Sequence, residues 1–360
     1  MTFMKRSMQP PSRQDGLTLI ELMVALVIGL FLVIGLVFML VSMSRTRTEL
    51  DRTSRQIENG RYALQLLTTD VQHAGFLGTY TPRTATYTAP APCTTAAWAT
   101  MADLGFVNTF NVEQVPVFVY GYDGATASPA CVTNRVAGTD ILVVRRVSTT
   151  SIAPGSPQYV AGETYLQVNA CAPLNPAFVV SKTAGDFTLQ QKDCAAALAP
   201  LRKYVVRLYY VSSCNVCDGS EDPPIPTLKM VDFVNGAMTV TPLVEGIQNL
   251  QLDYGIDTNN DGSPDCYVTD PGAAAAPACA GAPYVWEPNI QNWANIVAVR
   301  IHVLARNILL KNEGGGGWTD TKTYDLGIAG TVGPFNDQYR RHVHSAVARV
   351  INVASRRETP

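Results

Sequence analysis

The sequence has almost no net charge, no internal repeat and none of the short signatures that announce a nucleotide-binding or hydrolytic enzyme. Its 27 Lys and Arg against 29 Asp and Glu leave a formal charge of −2. No basic excess therefore invites non-specific contact with nucleic acid. Four glycines, Gly314 to Gly317, are followed by Trp318. Without Lys-Ser/Thr and a helix behind them they cannot cradle phosphate, and they read as a flexible turn. No dinucleotide fingerprint or nucleophile–base set is assembled along the chain, so no catalytic residue is assigned and an enzyme is not expected. His342 and His344 could share a strand face, but without a third ligand they read as surface or core residues. Long apolar runs are scarce too: there is one.

That run lies near the start. From Leu22 to Val41 twenty residues carry no charge. At 1.5 Å per residue they span about 30 Å, the hydrocarbon core of a bilayer. Lys5, Arg6 and Arg13 precede the run with Asp15 the only acid, so the short flank stays cytoplasmic and the rest is exported. A cleaved secretory signal would need small residues after the run, and Ser42-Met43-Ser44-Arg45 is a poor match. An uncleaved plain anchor leaves Glu21 unexplained, because a lone charge in hydrocarbon is costly and needs a partner. Cutting the chain between Gly16 and Leu17 supplies one. Leu17 would carry a free α-amine one helical turn before Glu21. In an array of such helices, the amine of one subunit would meet Glu21 of its neighbour. Glu21 is thus expected to serve assembly.

The residues from Gly16 onward, "GLTLIELMVALVIGLFLV", resemble the cleavage and methylation motif of type IV prepilins. That motif joins a short basic leader ending in Gly to an apolar helix with Glu at the fifth mature position. The resemblance implies that prepilin peptidase cuts after Gly16 and methylates the amine of Leu17. Leu stands here where Phe is usual. Removing the leader, whose charges sum to +2, would take the formal charge from −2 to −4.

Beyond the apolar run, Leu50, Ile57, Leu64, Leu67, Val71 and Ala74 recur in steps of seven, three and four. They trace one helical stripe, with Arg45, Arg47, Asp51, Arg52, Arg55 and Glu58 on other faces. Its first half is expected to face neighbouring subunits and its second half the head. Gly75 and Gly78 are stop signals. One helix from Leu17 to Ala74 would be roughly 87 Å long, more than a compact domain needs. From Phe76 onward the material changes. Runs such as "VPVFVYG", "DILVVRRV", "KYVVRLYYV", "IQNLQLDYG" and "NIVAVRIHVLAR" are β-branched and aromatic, and Val297, Val299, Ile301 and Val303 alternate with Arg300 and His302. The expectation is an α+β chain: a long N-terminal helix, transmembrane then amphipathic, packed on a β-rich, largely antiparallel head with disulfide-bearing loops. Tyr80 to Gln114 and "DPGAAAAPACAGAP" read as loop insertions.

All eight cysteines fall in that part: Cys93, Cys131, Cys171, Cys194, Cys214, Cys217, Cys266 and Cys279. The even count suits an oxidising compartment. Connectivity stays open; nearest-neighbour pairing would close short loops, with Cys266–Cys279 the best-placed bridge. Cys214-Asn-Val-Cys217 has redox spacing but no βαβ setting, second pair or nearby His, so neither redox nor zinc chemistry is expected. In "DTNNDGSPD", Asp257, Asn259, Asp261 and Asp265 take positions 1, 3, 5 and 9 of a calcium loop. Gly262 sits at the sharp turn, and Ser263 would offer its carbonyl. Val268 stands where the bidentate Glu belongs, so Ca²⁺ would bind weakly if at all, and a plain polar hairpin is the alternative.

Taken together, "QIENGRYALQLLTTDVQHAGFLG", "VEGIQNLQLDYGIDTNNDG", "WANIVAVRIHVLARN" and "YRRHVHSAVARVINVASR" are similar to the PilW family of minor type IV pilins. The resemblance implies residues 1–16 as a prepilin leader, 17–43 as the transmembrane half of the helix, 44–75 as its amphipathic half and 76–360 as a periplasmic pilin head. It implies a single-pass inner-membrane subunit that passes into an extracellular pilus (fimbrium), priming assembly within a tip complex. Its partners would be other minor pilins, the major pilin, a PilY-type tip adhesin, prepilin peptidase and the inner-membrane assembly platform, with no direct nucleic-acid contact. Twitching motility and cell adhesion would lie downstream. A minor pseudopilin of a type II secretion system and a ligand-binding adhesin head on a membrane anchor are the alternatives.

Overall fold

The computed structural model describes residues 16, 18–82, 85–109, 112–171, 176–234, 236–275, 277, 284–286, 290–308 and 319–358. Two compact units divide the chain, Met1–Arg52 and Thr53–Pro360.

One helix, α1 (Leu19–His73), crosses that division. No proline interrupts its 55 residues, and Leu, Ala, Met, Arg, Glu and Gln supply good helix formers. In the first unit its side chains from Leu19 to Met43 are exposed along nearly the whole length. This stretch is long and apolar enough to cross a membrane.

In the second unit the same helix is half-embedded. Its buried line runs through Gln56, Gly60, Ala63, Leu67, Asp70, Val71 and Ala74. At the start of the stripe Leu50 and Ile57 are exposed, on the half expected to face neighbouring subunits, and Leu64 is only partly buried. Small and polar residues join the buried line because the helix lies close to strand backbone. Gln56 Nε2 donates to Ala305 O at 3.0 Å and Asn59 Nδ2 to Glu245 O at 3.0 Å. At Gly60 a Cβ would fall 2.2 Å from the His344 ring, so only glycine fits without a shift. The helix ends at His73, and Gly75 follows at φ 74°.

Strands build the rest. A small sheet holds β1 (Thr86–Thr88), β2 (Val107–Thr109) and β3 (Val112–Pro116), with β3 central. The largest sheet contains β4 (Val119–Tyr122), β5 (Ile141–Val147), β6 (Tyr165–Val168), β7 (Phe178–Ser181), β8 (Leu201–Ser212), β9 (Thr227–Val234) and β10 (Ala237–Glu245). Its spine runs β10-β9-β8-β5-β4, and β6 joins β8 to β7. A four-stranded sheet takes β11 (Ile247–Ile256), β12 (Cys266–Val268), β13 (Ile296–Arg306) and β16 (Arg341–Arg349) in the order β12-β11-β13-β16. β14 (Tyr324–Asp325) and β15 (Thr331–Val332) form a short pair. The two larger sheets are antiparallel throughout. Val297, Val299, Ile301 and Val303 of β13 are fully buried, and Arg300 and His302 point the other way. One hydrophobic cluster joins Ala63, Leu67 and Val71 of α1 to strands of both sheets.

Two expectations need correcting. "VPVFVYG" is divided between β3 and β4, in different sheets. Tyr80–Gln114, read as loop, contributes β1, β2 and part of β3. "ACAGAP" lies outside the described residues.

Two C-terminal features lock the unit. In α3 (Ile351–Arg357), Asn352 Nδ2 donates to the carbonyls of His73 and Ala74 at 3.4 and 3.1 Å, and Arg356 donates to Gly75 O at 2.6 Å. These donors satisfy carbonyls that the end of α1 leaves open. Arg341 is the second feature. Its guanidinium bonds Asp320 at 2.7 Å with both side chains fully buried, pairs with Asp337, and stacks on Phe335 at 3.8 Å. Arg341→Ala would strand the Asp320 charge, so a loss of about 3–5 kcal/mol is expected. The check is the midpoint of chemical denaturation; a cost under about 1 kcal/mol would contradict it.

Candidate assembly site

Gly16, Leu17 and Glu21 were the residues singled out for processing, methylation and assembly. Leu17 lies outside the described residues. Glu21 has a local partner that sequence reasoning overlooked. Thr18 N and Thr18 Oγ1 both donate to Glu21 Oε2, at 2.9 and 2.8 Å, and Glu21 N approaches Thr18 Oγ1 at 3.4 Å. This is a capping box, with Thr18 at the N-cap and Glu21 three residues on. Its signature, Thr-x-x-Glu before an apolar run, was there to be found. In the free subunit the carboxylate therefore holds the helix start, where orphan N–H groups also favour negative charge. The other Glu21 oxygen and the whole apolar helix surface behind it are available to neighbours.

The Asp257–Asp265 loop follows β11. Asp257 is buried and accepts N–H bonds from Asn259, Asn260 and Gly262 at 3.2, 2.6 and 3.0 Å. Gly262 takes φ 82°, as the sharp turn requires. Asp261 accepts from Ser263 N at 2.7 Å, and Asp265 from Thr258 N at 2.8 Å. Asn259 Nδ2 sits between Asp261 and Asp265 at 3.1 and 3.2 Å. Arg357 Nη1 approaches Asp257 Oδ2 at 3.4 Å and Asn260 Oδ1 at 3.1 Å. Backbone N–H groups, one amide and one guanidinium thus relieve the repulsion that suggested a cation. Among the described residues, no group of three or more His, Cys, Asp or Glu side chains is placed to hold a metal.

Disulfides join Cys93 to Cys131, Cys171 to Cys194 and Cys214 to Cys217. Cys266 is disulfide-bonded as well; its expected partner, Cys279, lies outside the described residues.

His342 and His344 share a face of β16 with ring centroids 4.6 Å apart. Burial, with the charges of His342 and Arg61, holds the His344 imidazole below its usual range, which suits a neutral ring beneath α1. The sequence also gave no hint of a Ser-His-Asp line across three strands. Ser345 Oγ lies 2.8 Å from His302 Nδ1, and His302 Nε2 lies 3.2 Å from Asp253 Oδ2. Register explains it, since Ser345 and His302 are direct cross-strand neighbours. A hydrolase would need a substrate cleft beside the serine. Among the described residues, cavities of about 380, 340 and 290 Å³ have linings that include neither Ser345 nor His302. Ile328 N also reaches Asp253 at 3.3 Å, completing a satisfied polar ladder.

Comparison with known families agrees with this architecture. Residues 11–37 match the prokaryotic N-terminal methylation motif, and residues 208–352 match the type IV pilus-assembly protein W family. The second match runs from β8 to α3 and includes the four-stranded sheet. The chain matches no curated protein and no solved structure. With a methylation motif at the head of an exposed apolar helix and residues 208–352 matching the type IV pilus-assembly protein W family, the chain carries a W-type domain behind a prepilin-type N-terminus.

Proposed function

We propose that this minor pilin primes type IV pilus assembly and takes a place in the tip complex, beside other minor pilins and a large PilY-type adhesin. The observation that carries this reading is the apolar helix surface from Leu19 to Met43, exposed in its own unit and headed by a carboxylate. Lateral packing against the helices of other minor pilins and the major pilin would cover that surface, and a neighbour's α-amine would meet Glu21. Prepilin peptidase would cut after Gly16 and methylate Leu17, and the inner-membrane platform would receive the product. Disulfides in the head suit a periplasmic side for the second unit. Twitching and adhesion would follow from the assembled fibre.

Deleting the gene tests it. Surface pili and twitching should fall sharply and return on complementation, and the protein should co-purify with other minor pilins. Normal pilus number would overturn the proposal. With impaired protein secretion the same result would favour a type II secretion pseudopilin, and with lost attachment alone an adhesin head.

Weak calcium binding at Asp257, Asn259, Asp261, Ser263 and Asp265 is a subsidiary proposal, supported by ligand spacing and the Gly262 turn. The carboxylates would have to leave their N–H partners, and Arg357 would have to move. Affinity should therefore lie near the weak end, roughly 10⁻⁴–10⁻³ M. At about 10 mM calcium and a Kd of about 1 mM, linkage gives about 1.4 kcal/mol of added stability. Equal melting in EDTA and calcium, or an equal shift in Asp261→Ala, would leave only a polar turn.

A further inference from the structure

We propose that Cys214–Cys217 is a thiol-exchange site, opened by a dithiol that attacks Cys214 while Cys217 leaves as a thiolate toward Lys229. Sequence did not favour redox chemistry here, because the pair lacks a βαβ setting; the fold places two other groups beside the sulfurs. The bridge sits in the connection between β8 and β9, just beyond Ser212. Lys229 Nζ, from β9, lies 3.3 Å from Cys217 Sγ. Ser212 Oγ, at the end of β8, lies 3.6 Å from Cys217 Sγ and 3.9 Å from Cys214 Sγ. An ammonium and a hydroxyl therefore meet the same sulfur, and both favour its anionic form. Burial lowers the Lys229 ammonium's proton affinity, and the Glu221 charge opposes that fall, so a thiolate would be a welcome counter-charge.

Two further observations separate this bridge from the others. It spans a sequence separation of 3, against 38 for Cys93–Cys131 and 23 for Cys171–Cys194. So short a closure restrains little of the unfolded chain, which leaves chemistry rather than stapling as its use. The loop is also held without it. Glu221 accepts from Asn215 N, Val216 N and Ile225 N at 2.9, 2.8 and 3.3 Å. Reduction would leave that frame in place. Cys217 is exposed and Cys214 half-buried, whereas Cys171 of a longer bridge is buried.

The exchange balances as follows. A thiolate of the dithiol forms a bond to Cys214 Sγ, the Cys214–Cys217 bond breaks, and its electron pair stays on Cys217 beside Lys229. The dithiol's second thiol gives up a proton to solvent and attacks the first sulfur of the mixed disulfide. Cys214 leaves as a thiolate and takes a proton. The pair is reduced by two electrons and the dithiol is oxidised to a disulfide. The natural reactant would be a dithiol–disulfide oxidoreductase of the compartment that holds the head.

Dithiothreitol serves as the probe on the full-length protein in detergent, with timed acid quench, alkylation and peptide mass spectrometry. Cys214 and Cys217 should be alkylated before any other pair. A change of one pKa unit in the leaving thiol at a Brønsted slope near 0.5 is about threefold in rate, so Lys229→Met should slow this bridge by about threefold to tenfold. Lys229→Arg should stay within about twofold of wild type, and the Cys93–Cys131 and Cys171–Cys194 rates should be unchanged in both variants. A second measurement avoids substitution altogether: in the reduced wild-type protein Cys217 should alkylate faster than Cys214 below about pH 8. Reduction of this bridge no earlier than the others, an unchanged rate in Lys229→Met, or equal alkylation of the two thiols would overturn the proposal.

Discussion

Gly16→Val is expected to leave the chain as an uncut, unmethylated precursor. The peptidase would have to accept a β-branched side chain where the motif offers none, and Val also stiffens the backbone at the bond to be cut. Among the described residues, a Cβ at Gly16 meets no atom within 4 Å. The substitution therefore meets no described packing partner, and a change in the N-terminus reports on processing. Intact mass of protein taken from membranes reads the result. Wild type should begin at a methylated Leu17, whereas the variant should begin at Met1 or Thr2 and remain in the membrane fraction. The effect should be close to all-or-none. Wild-type protein that keeps residues 1–16 would remove the basis of the prepilin reading, and normal cutting of the variant would remove Gly16 from it.

The second large effect concerns Glu21, where two roles must be separated. As half of a capping box, the carboxylate helps hold the helix start by accepting from Thr18. As the partner of a neighbour's amine it would be worth more, since an uncompensated charge in hydrocarbon costs about 2.5–3.5 kcal/mol even on the lenient insertion scale. Glu21→Gln keeps an amide oxygen that can accept from Thr18 but removes the charge; Glu21→Ala removes both. If charge pairing drives assembly, both variants should insert into the membrane normally and both should lose incorporation, with pilus number falling about tenfold or more. If Gln behaves like wild type and Ala does not, the cap is the operative role. Normal pili in both would end the case for Glu21 as an assembly residue.

The parts of this fold that could be read along the chain are those in which a segment's own pattern decides its place. The uncharged run of α1 and the alternation in β13 are of that kind. So are β5, β8 and β11, whose β-branched and aromatic content suits strands buried on both faces. What escaped reading depends on distant partners. The distal half of α1 buries Gln56, Gly60 and Asp70 among its apolar residues, because Gln56 bonds Ala305, Gly60 makes room for His344, and Asp70 takes Arg146 at 2.8 Å and Tyr209 at 2.8 Å. A periodicity count sees an apolar stripe and cannot see such acceptors. The Asp257 loop has a distant partner of the same kind. Its spacing suggested a cation, and Arg357, 100 residues away, brings a positive charge to that place. At the assembly site, Thr18 was legible and simply passed over.

The seal that α3 places on the end of α1 has a consequence for biosynthesis. The carbonyls of His73 to Gly75 wait for Asn352 and Arg356, some 280 residues later in the chain. During synthesis the apolar stretch is complete long before the carbonyls at His73 to Gly75 can meet their donors, which lie in the last element of the chain. The clasp can close only once the last element has been made. A polypeptide released before its final turn would be tethered like a finished subunit but would lack the clasp, a difference that quality-control proteases, which sample loose segments, are equipped to detect.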